Sequence, residues 1–329
     1  MEKTDWLGKP YYSLNAYFKH TYGEKVYKLA VDAGLTCPNR DGTLSHRGCI
    51  FCSAGGSGDF AYDINNNMDE KLSEIRENAG FNKNTGRLYV VYFQAYTNTY
   101  GDVDYLKSLW VKALENEDVV GISIATRPDC LGIGDEPWKA KHKGILKVLQ
   151  ELKKEYEPRG KFIWIEFGLQ TIHPKTAEYI RRHYPLSMYE QAAKALCDIG
   201  IQYITHIILG LPDETEDMML ETVQYVNSLP YKVSGIKLQL LHVLKNTDLE
   251  EDFIKYPERF AMMDSDRYLN LVAECLRWTP SDVVIHRVTG DGPKSLLVAP
   301  KWSSNKKVVL NTLHKIMKEK GAFQGDYLN

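Results

Sequence analysis

The 329 residues carry 41 Lys+Arg against 43 Asp+Glu, with 43% hydrophobic and 11% aromatic side chains and six cysteines. A formal charge of −2 excludes a histone-like polycation, and the composition excludes a disordered or low-complexity chain. No apolar run approaches the ~20 residues of a membrane-spanning helix, and MEKTDWLGKPYY lacks the apolar core of a secretory signal, so a cytoplasmic protein without membrane association is expected.

In chain order, the first predicted strand covers 26–31 and a helix follows at 69–78. Strand 88–93 precedes helix 103–116, strand 119–125 precedes helix 137–156, and strand 162–167 precedes helices 175–182 and 187–199. Strand 203–209 leads to helix 215–228, strand 235–241 to helix 264–277, and a last strand covers 283–288. The strands are rich in Val, Ile and aromatics and apolar nearly throughout, as strands buried on both faces are. The helices repeat apolar residues at three- and four-residue spacing. Ser187 with Glu190 three residues on reads as a capping box, Gly200 and Gly160 as helix stops, and Pro137 as a helix start.

Strand alternating with helix predicts βα units and an α/β fold, a partial TIM-type (β/α)6 barrel with a small C-terminal extension. No GxGxxG or GxxxxGK[ST] follows a strand to support a doubly wound nucleotide-binding sheet. The expected divisions are an N-terminal segment 1–24, a barrel 25–247, and an extension 248–329 of helix, strand and basic tail. The first 58 residues carry net charge +2 and the last forty +4, so the middle carries −8. Basic ends on an acidic middle suit an RNA-binding edge; a solvated lysine face on a C-terminal helix accounts for the same residues.

Cys37, Cys49 and Cys52 fall within sixteen residues directly after the first strand, at the end where barrel active sites assemble. Three thiolates on an iron–sulfur cluster leave one iron free for another ligand. Structural zinc with His46 as fourth ligand, a CxxC redox pair, and chance clustering compete with that reading. Cys197 and Cys275 lie on apolar helix faces and read as core. Cys130 reads as a buried thiol beside the site or as a hydrogen-atom donor. His206, His242 and His286 read as satisfied barrel histidines.

The segment TCPNRDGT…GCIFC, with Phe51 before the last cysteine, resembles the radical S-adenosylmethionine (SAM) superfamily. The usual CxxxCxxC is here Cx₁₁CxxC, as in a subgroup related to the elongator catalytic subunit, and the segment is similar to the YtqA/YhcC-type family within it. ATRPDCL (125–131), IEFGLQT (165–171), ILGLPDET (208–215), KLQLLHVLKNT (237–247) and HRVTGDGP (286–293) agree in order. The resemblance implies one [4Fe–4S] cluster on Cys37, Cys49 and Cys52, with SAM cleaved there to a 5′-deoxyadenosyl radical. It implies adenine near Phe51 and Gly210, and SAM contacts from Thr97 and Asn98, since 94–99 lacks the superfamily's glycines and acid. Arg127 is the expected partner of the SAM carboxylate, with a salt bridge to Asp129 or Glu166 as its alternative. Glu166 would face SAM or Arg127, and Gln170 a ribose hydroxyl.

Kinship with the elongator subunit implies wobble uridine of tRNA as substrate, its carboxymethylaminomethyl side chain remodelled toward aminomethyl, and an electron donor such as flavodoxin or ferredoxin. His286, Arg287, Lys294, Lys301, Lys306 and Lys307, with Trp302, Phe323 and the aromatics Trp6, Tyr11, Tyr12, Tyr17 and Phe18, are the candidate RNA contacts.

Overall fold

The computed structural model describes residues 6–56, 61–63, 87–260, 264–290 and 292–328; the predicted helix 69–78 lies outside them. All seven predicted strands form: β1 (Val26–Asp32), β3 (Leu88–Phe93), β4 (Val119–Thr126), β5 (Phe162–Gln170), β6 (Gln202–Leu209), β7 (Gly235–Leu240) and β9 (Val284–Arg287). A two-residue strand β2 (Tyr62–Asp63) joins the outer side of β1. The order is β2-β1-β3-β4-β5-β6-β7-β9, every pair is parallel, and the sheet curls into a half-barrel.

Alternation along each strand separates two interiors. On β5, Ile163, Ile165, Phe167 and Leu169 join the core beneath the outer helices, whereas Trp164 joins Val26, Val90, Val120 and Ile204 inside the barrel. The outer layer is built by amphipathic helices. In α3 (Ile145–Tyr156), Ile145, Val148, Leu149, Leu152 and Tyr156 are buried, which is the three- and four-residue spacing of one helix face. The predicted helix 137–156 is broken: Pro137–His142 is a 3-10 turn, and Gly144 at φ 101° starts α3 afresh. The capping box at Ser187 does not form. Helix α5 (Leu186–Asp198) begins one residue earlier behind Pro185, and Glu190 accepts a bond from Tyr225 instead. Asp102, Thr215 and Asp264 do cap helices α2 (Val103–Glu115), α6 (Glu216–Ser228) and α8 (Ser265–Arg277).

Helix α1 (Leu14–Tyr22) closes the barrel at the N-terminal ends of its strands. Phe18 is 2% exposed and stacks on Trp164 at 5.9 Å, with Tyr17 at 5.6 Å from the same indole. Residues from both chain ends meet beside β9. Ile285 N–H donates to Tyr12 O, Tyr12 N–H to Gln324 Oε1, and Gln324 N–H to Pro10 O. Beyond β7, the short strands β8 (Val243–Leu244) and β10 (Leu297–Ala299) pair antiparallel. Helices α4 (Pro174–Tyr179), α7 (Asp248–Lys255) and α9 (Lys306–Glu319) complete the fold, α9 packing on α8.

Candidate active-site cavity

A cavity of about 300 Å³ opens at the C-terminal ends of the strands, the end at which βα loops converge. Cys37, Cys49 and Cys52 all line it, and all are free thiols. Their loop is held by its own sequence. The amides of Arg40 and Asp41 turn back onto Cys37 O, and Cys52 N–H onto Cys49 O. Gly48 stands at φ 73°, where its N–H reaches Asn39 O and a Cβ would press on the Arg40 side chain at 3.0 Å. That side chain donates to Cys52 O (2.9 Å) and Ser53 O (2.6 Å), while its guanidinium lies 5.4 Å from the centre of the Tyr96 ring. Asn39 donates to Cys49 Sγ at 3.5 Å and to Arg181 O at 2.7 Å.

The donor set fits a cluster held by three thiolates, with a side-chain amide aimed at one sulfur as a tuning hydrogen bond. His46 is exposed and outside the cavity wall, which removes the fourth ligand of the zinc reading. Among the described residues no three His, Cys, Asp or Glu side chains are grouped to hold a single metal ion. Burial, with Cys52 beside it, pushes the Cys49 thiol up to about 12, and a bound cation would oppose that shift.

Below the mouth, Glu166 is fully buried and accepts from four groups. Lys28 Nζ (2.5 Å) and Ser123 Oγ (2.5 Å) reach Oε1; His206 Nε2 (2.7 Å) and Lys237 Nζ reach Oε2. The lysines and His206 hold its carboxyl well below the usual range against the opposing effect of burial. Lys237 also donates to Tyr92 Oη at 3.0 Å, and both ammonium groups lie within 4.4 Å of the Tyr92 ring centre. The partner of Glu166 is therefore this group and not Arg127. Arg127 is paired bidentately with Asp129 (2.9 and 2.8 Å) and donates to Arg182 O, so its fork is taken by protein.

Four non-glycine residues at the cavity or immediately beside its wall hold left-handed backbone: Tyr96, Gln170, Arg181 and His183, at φ 57° to 66°. Such clustering is characteristic of binding sites. The Gln170 side chain lines the cavity with its Oε1 buried and unpartnered, an acceptor suited to a ligand hydroxyl. Thr97 also lines it. Asn98 does not: its amide clamps Ala95 O and Ala125 O, tying the loop after β3 to β4.

Residues 42–226 match the Radical SAM superfamily and residues 233–319 the Radical_SAM C-terminal domain. The chain belongs to the radical SAM superfamily. It is 40% identical to YtqA of Bacillus subtilis (strain 168) over 319 residues, covering 97% of this chain and 93% of that protein. It is 31% identical to YhcC of Escherichia coli (strain K12), covering 93% and 92%. Among solved structures, archaeal Methanocaldococcus infernus Elp3 with an N-terminal deletion shares the fold with TM-score 0.63 at 14% identity; the match covers 92% of this chain but 64% of Elp3. Membership implies an enzyme that uses SAM and a [4Fe–4S] cluster. No helix among the described residues is long and apolar enough to cross a membrane.

Against that family pattern, Phe51 lines the cavity, but Gly210 does not, and its amide points at Met219 Sδ. Cys130 is fully buried outside the cavity wall, and burial with Asp129 beside it raises its thiol well above the usual value. Cys275 is core, whereas Cys197 is exposed. Arg287 lines the cavity, and the half-buried His286 packs edge-on to Trp164. Trp6, Tyr11 and Phe18 are buried and not open to stack on bases, whereas Tyr12, Tyr17 and Trp302 are half-buried, Trp302 against Tyr268, and Phe323 is exposed. Lys294, Lys301, Lys306 and Lys307 are exposed. Sequence reasoning missed Lys28 and Lys237, although each is a charge in an apolar strand, the same signal that marked Glu166. It also passed over Arg40 and Arg182, whose signal is weaker.

Proposed function

We propose that this radical SAM enzyme acts on the wobble uridine of tRNA, converting a carboxymethylaminomethyl side chain toward aminomethyl. When bound, a [4Fe–4S] cluster on Cys37, Cys49 and Cys52 and SAM together supply a 5′-deoxyadenosyl radical that takes a hydrogen atom from the substrate. The protein's own residues do the rest. Arg40 and Asn39 fix the thiol loop, Gln170 offers an acceptor, and the α1 plug keeps water from entering through the barrel floor.

The observation that carries the RNA reading is the charge of the cavity and its continuity with the basic tail. Among described residues, Arg40, Arg182 and Arg287 line the cavity beside two pairs, Arg127 with Asp129 and Lys237 with Glu166, in a chain of net charge −2. His242, also in the wall, contacts Ser303 Oγ at 3.0 Å, which ties the cavity wall to the segment bearing Lys301, Lys306 and Lys307. A cationic mouth flanked by exposed lysines suits a phosphate backbone that delivers one base inward.

Anaerobic reconstitution with iron and sulfide, followed by dithionite and SAM, is expected to give 5′-deoxyadenosine, with production lost in Cys37→Ala. Nucleosides from a deletion strain are expected to accumulate the carboxymethylaminomethyl form. Unchanged wobble uridines would remove the RNA reading and leave a radical enzyme for a small molecule.

A further inference from the structure

The cavity floor sets two lysine amines on one buried carboxylate. Glu166 serves two ammonium groups at once, Lys28 and Lys237, in a place from which water is largely excluded: Glu166 is 0% and Lys237 4% exposed. A buried ion is costly unless it is paired. Of the two lysines, Lys28 lies outside the cavity wall, whereas Lys237 is in it. Lys237 spends two of its three N–H donors, on Glu166 and on Tyr92 Oη. The third is available to the cavity. Higher in the wall, Arg40 and Arg182 donate to backbone carbonyls, which use their hydrogen bonds without cancelling their charge. Arg40, Arg182 and Lys237 thus offer donors to an anion from the cavity wall, and the deepest of them is Lys237.

Resting on the function proposed above, we propose that Lys237 anchors a carboxylate subsite on the cavity floor, which takes the carboxylate of the substrate side chain on the Lys237 amine. A carboxymethylaminomethyl group carries one carboxylate and an aminomethyl group none. The same contact therefore selects substrate over product, and its loss on conversion loosens the product. SAM also carries a carboxylate, so the test must separate the two sources.

The reconstituted holoenzyme, with SAM and without reductant, is titrated with tRNA bearing carboxymethylaminomethyluridine or aminomethyluridine at the wobble position. Wild type is expected to prefer the first by at least tenfold; Lys237→Met should lose the preference and Lys237→Arg keep part of it. Lys237→Met leaves Glu166 with Lys28, Ser123 and His206, and unchanged iron content and melting temperature are the check on folding. Equal affinity of wild type for the two tRNAs overturns the proposal, as does a Lys237→Met that loses turnover while keeping the preference. SAM affinity is measured separately: a tenfold loss in Lys237→Met with the tRNA preference intact gives the subsite to SAM and overturns its assignment to substrate. An RNA-free arm compares N-methylglycine with N-methylglycinamide by the shift in melting temperature. Should neither tRNA bind, the RNA reading falls, and this arm decides. Stabilisation by N-methylglycine that the amide and Lys237→Met both lack upholds the carboxylate subsite; no difference overturns it.

Discussion

Glu166 shows how much of a site one residue's chemistry declares and where that stops. A carboxylate in the run FIWIEFGLQ announces a polar barrel interior, because burial without partners is prohibitive. Its partners were not legible. They come from β1, β4, β6 and β7, brought round it by strand order and register, and no local pattern states that Lys237 lies level with His206. Arg127 looked equally suited, but Asp129, two residues away, reaches it first. The charge arrangement makes a test at this scale. Glu166→Gln leaves Lys28 and Lys237 buried together with no counter-charge, and the expected loss is about 3–5 kcal/mol in urea unfolding. A midpoint equal to wild type would mean that the lysines are already neutral in the folded protein.

Among elements, the seven strands were readable because parallel strands buried on both faces are apolar along their whole length. Helix α1 was not readable. It is nine residues long and buries only Ala16 and Phe18, too little for a helical stripe to stand out. Its aromatics, lying among basic residues, resembled a base-stacking surface; the barrel claims them instead, since an open half-barrel needs its N-terminal end filled. Phe18→Ala should therefore cost about 3–5 kcal/mol, the range for emptying a buried aromatic site, seen as a lowered urea midpoint. SAM affinity should persist, because the plug and the thiol loop lie at opposite ends of the strands. Loss of SAM binding without loss of stability would contradict this division. The break before α3 was equally hidden, because Lys143–Gly144 interrupts a pattern whose apolar spacing continues across it.

At the scale of the molecule, the overall charge of −2 conceals a cavity wall in which, among the described residues, arginine and lysine outnumber carboxylates. Two histidines make its stability depend on pH. Burial lowers His206 to about 4, with Lys237 adding to the effect, and burial lowers His142 to about 4, with Lys141 adding. Unfolded histidines titrate at about 6.5, so between that pH and about 4 the unfolded chain binds protons that the folded one refuses. Stability should fall as pH drops through this window. The urea midpoint of the cluster-free protein is expected to be lower at pH 5 than at pH 7.5, with a smaller difference in His206→Gln; a midpoint constant over that range would refute the assignment. The junction of Tyr12 with Gln324 bears on synthesis. The bond spans 312 residues, and at about 5–20 residues per second a ribosome needs roughly 15–60 s to make that much chain. Through that interval the N-terminal segment stands without this anchor, held only by what it packs against on the barrel strands.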